Sequence, residues 1–520
     1  MITHIRVAVY AALLLVMGTL TVAAQDIALS SRDGKIELSG TLLGFDGEFY
    51  RVATEYGELT IDSSGVQCAG PGCPNLDNFV AELLLSGSAT MGRVLMPALI
   101  DAFAARNGYR AVKDDETENR FTYRLEDEKT GQTVARFLFS ASNADEGFAD
   151  LLADEADIVM SLREMRPQER LLAREAGLGD MKGTNRSRVL ALDAVVPVVS
   201  VSNPIRSISP LMLAQVFSGQ ISNWKTLGGP DAPIDLHLPD DSSGLAQAIY
   251  DQVMRPARVD FAQSITRHND LAELAAAVEK DSLSIGVTSY AEQQNTAILT
   301  LSGSCGFSLD VSRLSIKTED YPLTAPMFLY FPARRLPQIA REFLSFTRSP
   351  NAQLVIRRAG FVDQTAEEIA VEEQGNRFAN AITVAGPEIS LDELQKMTAT
   401  LTPMARLTTS FRFEAGSVRL DAQSRSNVQQ LARALEIGQY DTRRLLFVGF
   451  SDGKGAAFAN REIALRRAEA VRQAVITAAI TVNLDRVVLD IDAFGEAMPM
   501  ACDDSAWGRQ ANRRVEVWVR

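Results

Sequence analysis

Leu85-Ser86-Gly87-Ser88-Ala89-Thr90-Met91-Gly92 joins two unlike patterns. The stretch before it, Phe79 to Ser86, is short and apolar, as a buried strand is. From Met91 to Asn107 the apolar residues recur at helical spacing. A strand that feeds a helix through Gly, Ser and Thr places backbone N–H groups and the hydroxyls of Ser88 and Thr90 at a helix N-terminus, and the small Ala89 lets a ligand approach. The partial positive charge there favours an anion. The same switch of period recurs downstream. Ala156–Ser161, Ala194–Ser200 and Ser284–Ser289 read as strands, while Pro210–Phe217, Leu245–Met254 and Leu271–Lys280 read as helices. This alternation predicts an α/β fold with mostly parallel sheets over residues 75–363, long enough for two lobes.

Two further donor segments fall at equivalent places. Asp240-Asp241-Ser242-Ser243-Gly244 precedes a helix, and Asp157-Ile-Val-Met-Ser161-Leu-Arg163 ends a strand in a hydroxyl and a guanidinium. Taken singly, Ser or Gly before a helix reads most simply as an N-cap. Taken together, Ser88, Ala89, Thr90, Ser161, Arg163, Asp241, Ser243 and Gly244 form a candidate oxyanion cage, with Arg163 as the bidentate counter-charge. Asp240 or Asp241 would accept a proton from hydrogen phosphate and repel fully ionised sulfate.

These segments also carry a resemblance. With Leu213-Ala-Gln-Val-Phe-Ser-Gly-Gln-Ile-Ser-Asn-Trp-Lys-Thr-Leu-Gly-Gly229 and Ser284-Ile-Gly-Val-Thr-Ser-Tyr290, the region from Leu83 to Phe361 resembles the phosphate-binding (PstS-like) class of type II periplasmic solute-binding proteins. The resemblance implies two lobes closing on a tetrahedral oxyanion, with inorganic phosphate as the leading ligand. Two departures stand out. Leu245 follows Ser243-Gly244 where the family commonly has Thr, and a charged stretch, Asp114–Lys129, follows the first helix.

The C-terminal third has its own signature. Leu446-Phe-Val-Gly449-Phe-Ser-Asp452 reads as a strand and loop; Asn460, Ala464 and Arg467 share one helical face; Gly508-Arg509-Gln-Ala-Asn512-Arg513-Arg514-Val515 comes last. From Leu407 to Arg520 the chain resembles the OmpA/MotB-like peptidoglycan-binding domain, a βαβαββ sandwich. Phe450 and Ser451 replace the family's loop His and Thr, and Ala464 replaces the helix Ser. The resemblance implies that Asp452 takes the ammonium and Arg467 the carboxylate of a diaminopimelate stem peptide, with Asn460 and Arg514 supporting the pocket. The plain reading of Asp452 and Arg467 is a surface ion pair, worth little.

The remaining chain is assigned around these two regions. Residues 1–24 read as a signal peptide: Arg6, an apolar run from Val7 to Leu20, then Val22-Ala23-Ala24 before Gln25. Residues 25–74 alternate around Asp-Gly and Tyr-Gly turns and read as a small β module, closed by a disulfide in the turn-rich Cys68-Ala-Gly-Pro-Gly-Cys73 loop. Cys305 and Cys502 are too far apart for their pairing to be read. Residues 364–404 read as a linker with helical stretches, and 405–520 as the peptidoglycan-binding domain.

The 520 residues carry a formal net charge of −14, which disfavours nucleic acid as a partner. The three His, at 4, 237 and 268, supply neither a metal set nor a catalytic triad. No enzyme activity, cofactor or metal is therefore expected. The expected place is the periplasm of a Gram-negative-type envelope, at the peptidoglycan or outer membrane, with an outer-membrane or transporter component as a further candidate partner. The alternative is a structural envelope protein whose solute-binding domain has lost its ligand or binds a protein partner; Leu245 is the feature that favours it.

Overall fold

Alternation in Asp26–Ser31, Glu37–Phe45 and Phe49–Thr54 puts Ile27, Leu29, Tyr50 and Val52 on one face of a five-stranded antiparallel sheet in the computed structural model. The model describes residues 26–76, 79–117, 119–183, 186–414 and 416–520. The expected signal peptide lies outside them. Among the described residues no helix is long and apolar enough to cross a membrane. In the first hairpin, Asp46 Oδ1 accepts the N–H groups of Glu48 at 2.8 Å and Phe49 at 2.6 Å, which sets the turn. The Cys68–Cys73 disulfide is present. The module is fastened to the next domain by Arg335, which pairs with Asp46 at 2.9 Å and lies over the Phe49 ring.

Strand Ala81–Ser88 runs parallel to Thr133–Ser142 on one side and to Ile158–Ser161 on the other. Their C-terminal ends therefore meet at one edge, where Ser88 stands beside Ser142 and Gly87 beside Met160. Gly87 has φ +117°, and a Cβ there would overlap the Met160 carbonyl, so only glycine permits this pairing. Leu83, Leu95, Phe103, Phe137 and Phe343 fill the first lobe, and Trp224, Leu236, Val253 and Ile285 the second. The thirteen-residue strand Ser187–Val199 serves both lobes. Its first part pairs with Thr324–Tyr330 and its end with Ser284–Ser289, both antiparallel. The sheet is thus mixed rather than mostly parallel, because strands that cross between lobes must return in the opposite direction. The charged stretch after the first helix is an antiparallel hairpin, Tyr109–Asp115 with Arg120–Asp127, that widens the first-lobe sheet.

The C-terminal domain is a five-stranded sheet ordered Glu368–Ile369, Ala405–Arg412, Arg514–Val519, Arg444–Phe450, Val488–Gly495. Helices Ala422–Glu436 and Ala457–Ala478 cover one face through Val428, Leu431, Val471 and Val475. The expected linker is not a free connector. Glu368–Ile369 is the edge strand of this sheet, and helix Leu391–Leu401 covers its other face, where Leu394, Met397 and Leu401 share a core with Val448, Phe450 and Trp518. Those three residues sit at i, i+3 and i+7, a stripe obscured by the polar composition around it. A short helix, Ala506–Asn512, also separates the last two strands, where the expected order had none.

The domains are held together directly. Arg406 binds Asp320, Lys317 reaches Glu367 at 2.5 Å, and Cys305 is disulfide-bonded to Cys502. The Ala422 N–H also donates to Glu164 Oε1 at 2.6 Å.

Candidate functional sites

The first site lies where the parallel strands of lobe one end. Ser88 and Ser161 are fully buried there, and Gly244 packs with its Cα region about the Ser88 side chain: a Cβ added to Gly244 would stand 3.2 Å from Ser88 Oγ and 3.6 Å from Leu162 Cδ1. Three of the expected segments therefore converge. Ser243 caps the helical stretch from Gly244, its Oγ accepting the Ala246 N–H at 3.0 Å. Ser161 Oγ donates to the Arg163 carbonyl and accepts the Arg163 N–H, fixing the bend after the strand. Thr90 makes no capping hydrogen bond, and Ala89 packs against the first-lobe core.

The charges differ from expectation. Arg163 is not a free counter-charge: Nη2 donates to Asp145 and, at 2.6 Å, to Glu169 Oε1, while Nη1 donates to Glu169 Oε2 at 2.9 Å. Its guanidinium also lies 4.9 Å from the Phe148 ring centroid. Only Nε is buried without a partner. Burial acts to raise the Asp145 pKa, but Arg163 and Arg166 outweigh it and hold the carboxyl below its usual range. Arg166 bridges Asp145 to Asp251, on the helical stretch that follows Gly244. Asp241 is mostly exposed and pairs with Arg267 at 2.7 Å rather than turning inward. Asp240 instead holds its own turn, accepting from Ser242. Leu245, at the departure from the family pattern, is buried in the second-lobe core. Asp145 and Glu169 were missed because an acidic residue in the first turn of a helix reads as a dipole partner.

In the C-terminal domain Asp452 and Arg467 are both nearly buried, at 8% and 5% exposure. They make no direct ion pair. Asp452 Oδ2 accepts from Arg513 Nη1 at 2.9 Å, so Arg513 is a site residue that sequence reasoning passed over in favour of its neighbour. Arg467 donates no hydrogen bond among the described residues; its Nε is buried without a partner and its guanidinium lies 5.2 Å from the Phe413 ring centroid. Burial, and then Arg513, lower its pKa, while Asp452 acts to raise it. Asn460 Nδ2 donates to Glu496 and to the Gly455 carbonyl, bracing the loop. Arg514 is fully buried, bonded to Glu516 at 2.7 Å and to the Met498 carbonyl at 3.0 Å, and stacks under Phe450. The Phe450 that replaces the family's His is thus part of the core.

Two buried carboxyls set the response to pH. Burial pushes Asp193, on the strand shared by both lobes, up to about 6, against its hydrogen bonds from the Ala194 and Tyr290 N–H groups. Burial, and then Asp421, push Glu319 up to about 8 at the domain boundary. A carboxyl with a raised folded-state pKa holds its proton more tightly when folded. Its contribution is complete below the unfolded value near 4 and is lost as pH rises through the folded value. Stability is therefore expected to fall between about pH 4 and pH 8, by about 3 kcal/mol from Asp193 alone. Thermal melts across that range should show Asp193→Asn flattening the segment below pH 6; an unchanged slope would refute the assignment.

This architecture, two lobes sharing long crossover strands with strand ends and helix starts facing each other, defines the class. Residues 78–351 match the PBP superfamily domain and residues 412–513 match the OmpA family. The chain belongs to the PBP superfamily and carries an OmpA-like domain at its C-terminal end. It is similar to the phosphate-binding protein PstS of Borreliella burgdorferi, 25% identical over 182 residues, covering 34% of this chain and 65% of that protein. It is also 25% identical over 269 residues to protein SphX of Synechococcus elongatus, covering 48% and 77% respectively. The chain thus spans just under two thirds of the first of these relatives. Among solved structures it is similar to an ABC-type phosphate transport receptor from Vibrio cholerae, at 20% identity and a TM-score of 0.41, over 54% of this chain and 99% of that one.

Proposed function

We propose that this is a non-catalytic envelope protein that binds phosphate or a similar oxyanion between its two lobes and holds peptidoglycan through its C-terminal domain. One observation carries the reading: Arg467, 5% exposed in the C-terminal site, donates no hydrogen bond among the described residues; Nε of Arg163 in the interlobe site is also unmatched, although its Nη atoms are taken by Asp145 and Glu169. An unmatched buried donor loses its hydration with no return, and a bound oxyanion or carboxylate restores the missing bond. The buried Ser88 hydroxyl, which among the described residues accepts only the Met91 N–H and has the Gly244 and Leu162 segments packed against it, supports the first half. The acid–base pairing of Asp452 and Arg513 beside the unmatched Arg467 supports the second, since a zwitterionic stem peptide offers both an ammonium and a carboxylate. The relatives named for phosphate binding support phosphate as the ligand. The C-terminal domain does not act as a weight on a flexible tether. It is joined to the binding domain by ion pairs and a disulfide, so the whole molecule is expected to sit at the wall, which suits sensing, scavenging or buffering of the anion more than shuttling.

The neutralisation of Arg163 by Asp145 and Glu169, with Leu245 in the core, favours a second reading in which the lobes have lost their ligand. Calorimetry with inorganic phosphate separates the two. Saturable binding, weakened at least about tenfold by Ser88→Ala, supports the first; no heat with correctly folded protein supports the second. Retention on purified sacculi should be lost in Arg467→Ala. Unchanged retention would end the anchoring proposal.

A further inference from the structure

Between the first lobe and the C-terminal domain lies a cleft of about 1480 Å³. Neither Ser88, Ser161 and Arg163 nor Asp452 and Arg467 line it. Its walls carry Arg106, Arg188 and Arg348 from the binding domain, and Arg425 and Arg433 from helix Ala422–Glu436. None of these five makes an ion pair with another described residue, although most arginines in this acidic chain do. Two carboxylates, Glu342 and Glu436, also line the cleft, so cations outnumber anions along its walls; Lys182, the remaining lining cation, is paired with Glu414. The Arg188 guanidinium donates to the Leu344 carbonyl and to Thr347, and its Nε is buried without a partner.

Arg348 is close enough to Arg188 on one side and to Arg433 on the other for repulsion. Burial, and then Arg348, bring Arg188 down to about 9; burial, and then Arg433, lower Arg348. Like charges gathered in excess along one cleft repel one another, and a ligand of opposite charge relieves that repulsion. Guanidinium forks match the oxygens of phosphate groups in pairs. A cleft this large exceeds one orthophosphate several times over, and its walls include Phe103 and Ile480 beside the arginines. We propose that this interdomain cleft binds an anion carrying two or more phosphate groups, gripped by Arg188 and Arg348 from one domain and Arg433 from the other. Such a ligand would also fasten the two domains against each other.

The test uses the full mature chain and inorganic tripolyphosphate as probe, titrated calorimetrically with saturating orthophosphate present so that the interlobe site is not measured. Saturable binding near one per chain is expected. Arg348→Ala combined with Arg433→Ala should weaken it at least tenfold, while Ser88→Ala leaves it unchanged. Both arginines are exposed to the cleft, so the double variant is expected to melt no lower than the parent in the absence of probe. Absence of saturable heat overturns the proposal, as does binding that survives the double substitution or disappears with Ser88→Ala. Citrate binding as tightly as tripolyphosphate would overturn the choice of phosphate over carboxylate.

Discussion

Arg406→Ala is expected to destabilise the C-terminal domain by about 3–5 kcal/mol and to loosen its seat on the second lobe. Arg406 is 1% exposed. Its Nη1 and Nη2 bind Asp320 side-on at 2.5 and 3.0 Å, and its Nε stands 3.4 Å from Glu516 Oε2. Asp320 belongs to the binding domain, and Glu516 lies in the central strand pair of the C-terminal sheet, so one guanidinium joins two cores. Burial alone would raise the Asp320 pKa; Arg406 more than offsets it and holds the carboxyl below its usual range. Removing the guanidinium leaves Asp320 with Arg412, at 4.0 Å, as its one ion pair among the described residues, while Glu516 keeps Arg377 and Arg514. The loss should therefore come mainly from one stranded carboxylate. Two consequences distinguish this account from simple loss of packing. Arg406→Lys should recover only part of the stability, because an ammonium cannot reproduce the paired geometry. Arg406→Met together with Asp320→Leu should recover most of it, because no buried charge is then stranded. Denaturant unfolding of the three variants measures both; a double variant as unstable as Arg406→Ala would reject the electrostatic explanation.

What could be read from sequence, and what could not, follows the range of the interactions. The turn from Ser86 to Met91 was legible because a change of period from two to 3.6 is local, and because only small residues fit where strand meets helix. The C-terminal motifs were legible because three of them occur in the order and spacing of a known family pattern. Roles decided by tertiary contact were not. Arg513 and Arg514 are adjacent, but Arg513 ends helix Ala506–Asn512 and reaches Asp452, while Arg514 opens the last strand and enters the core beside Glu516. The family resemblance implied the support role for Arg514 and left Arg513 without one. Residues 364–404 looked like a connector because their apolar stripe is thin; its partners, Val448 and Trp518, are strand residues tens of positions away. Arg163 was expected to face a ligand because nothing local indicated that Glu169 would fold back onto it. Leu245 shows the opposite case: its departure from the family pattern was visible at once, but its place in the second-lobe core was not.

Replacing Cys305 and Cys502 with serine is expected to cost more stability than any change at Cys68 and Cys73. The two long-range cysteines are 197 residues apart, whereas the other pair is separated by 5. A cross-link stabilises chiefly by shrinking the unfolded ensemble, and the effect grows with the logarithm of the loop it closes: about 5 kcal/mol for the long loop against about 2 kcal/mol for the short one, as upper values. The long cystine also lies next to the candidate peptidoglycan site. Asp503 follows Cys502 and accepts the Gly453 N–H, and Gly453 follows Asp452. That loop has a second brace, however. Asn512 is fully buried, accepts the Met500 and Ala501 N–H groups, and donates to the Ala501 carbonyl and to Asp503. With that brace intact, the serine variant should lose stability while its retention on sacculi changes less than about threefold, under 0.7 kcal/mol. Reductant should bring the parent protein down to the same denaturation midpoint as the double-serine variant and leave the variant unmoved. If the short cystine proved the more important, or if retention fell together with stability, the disulfide would have to act on the folded site itself rather than on the unfolded chain.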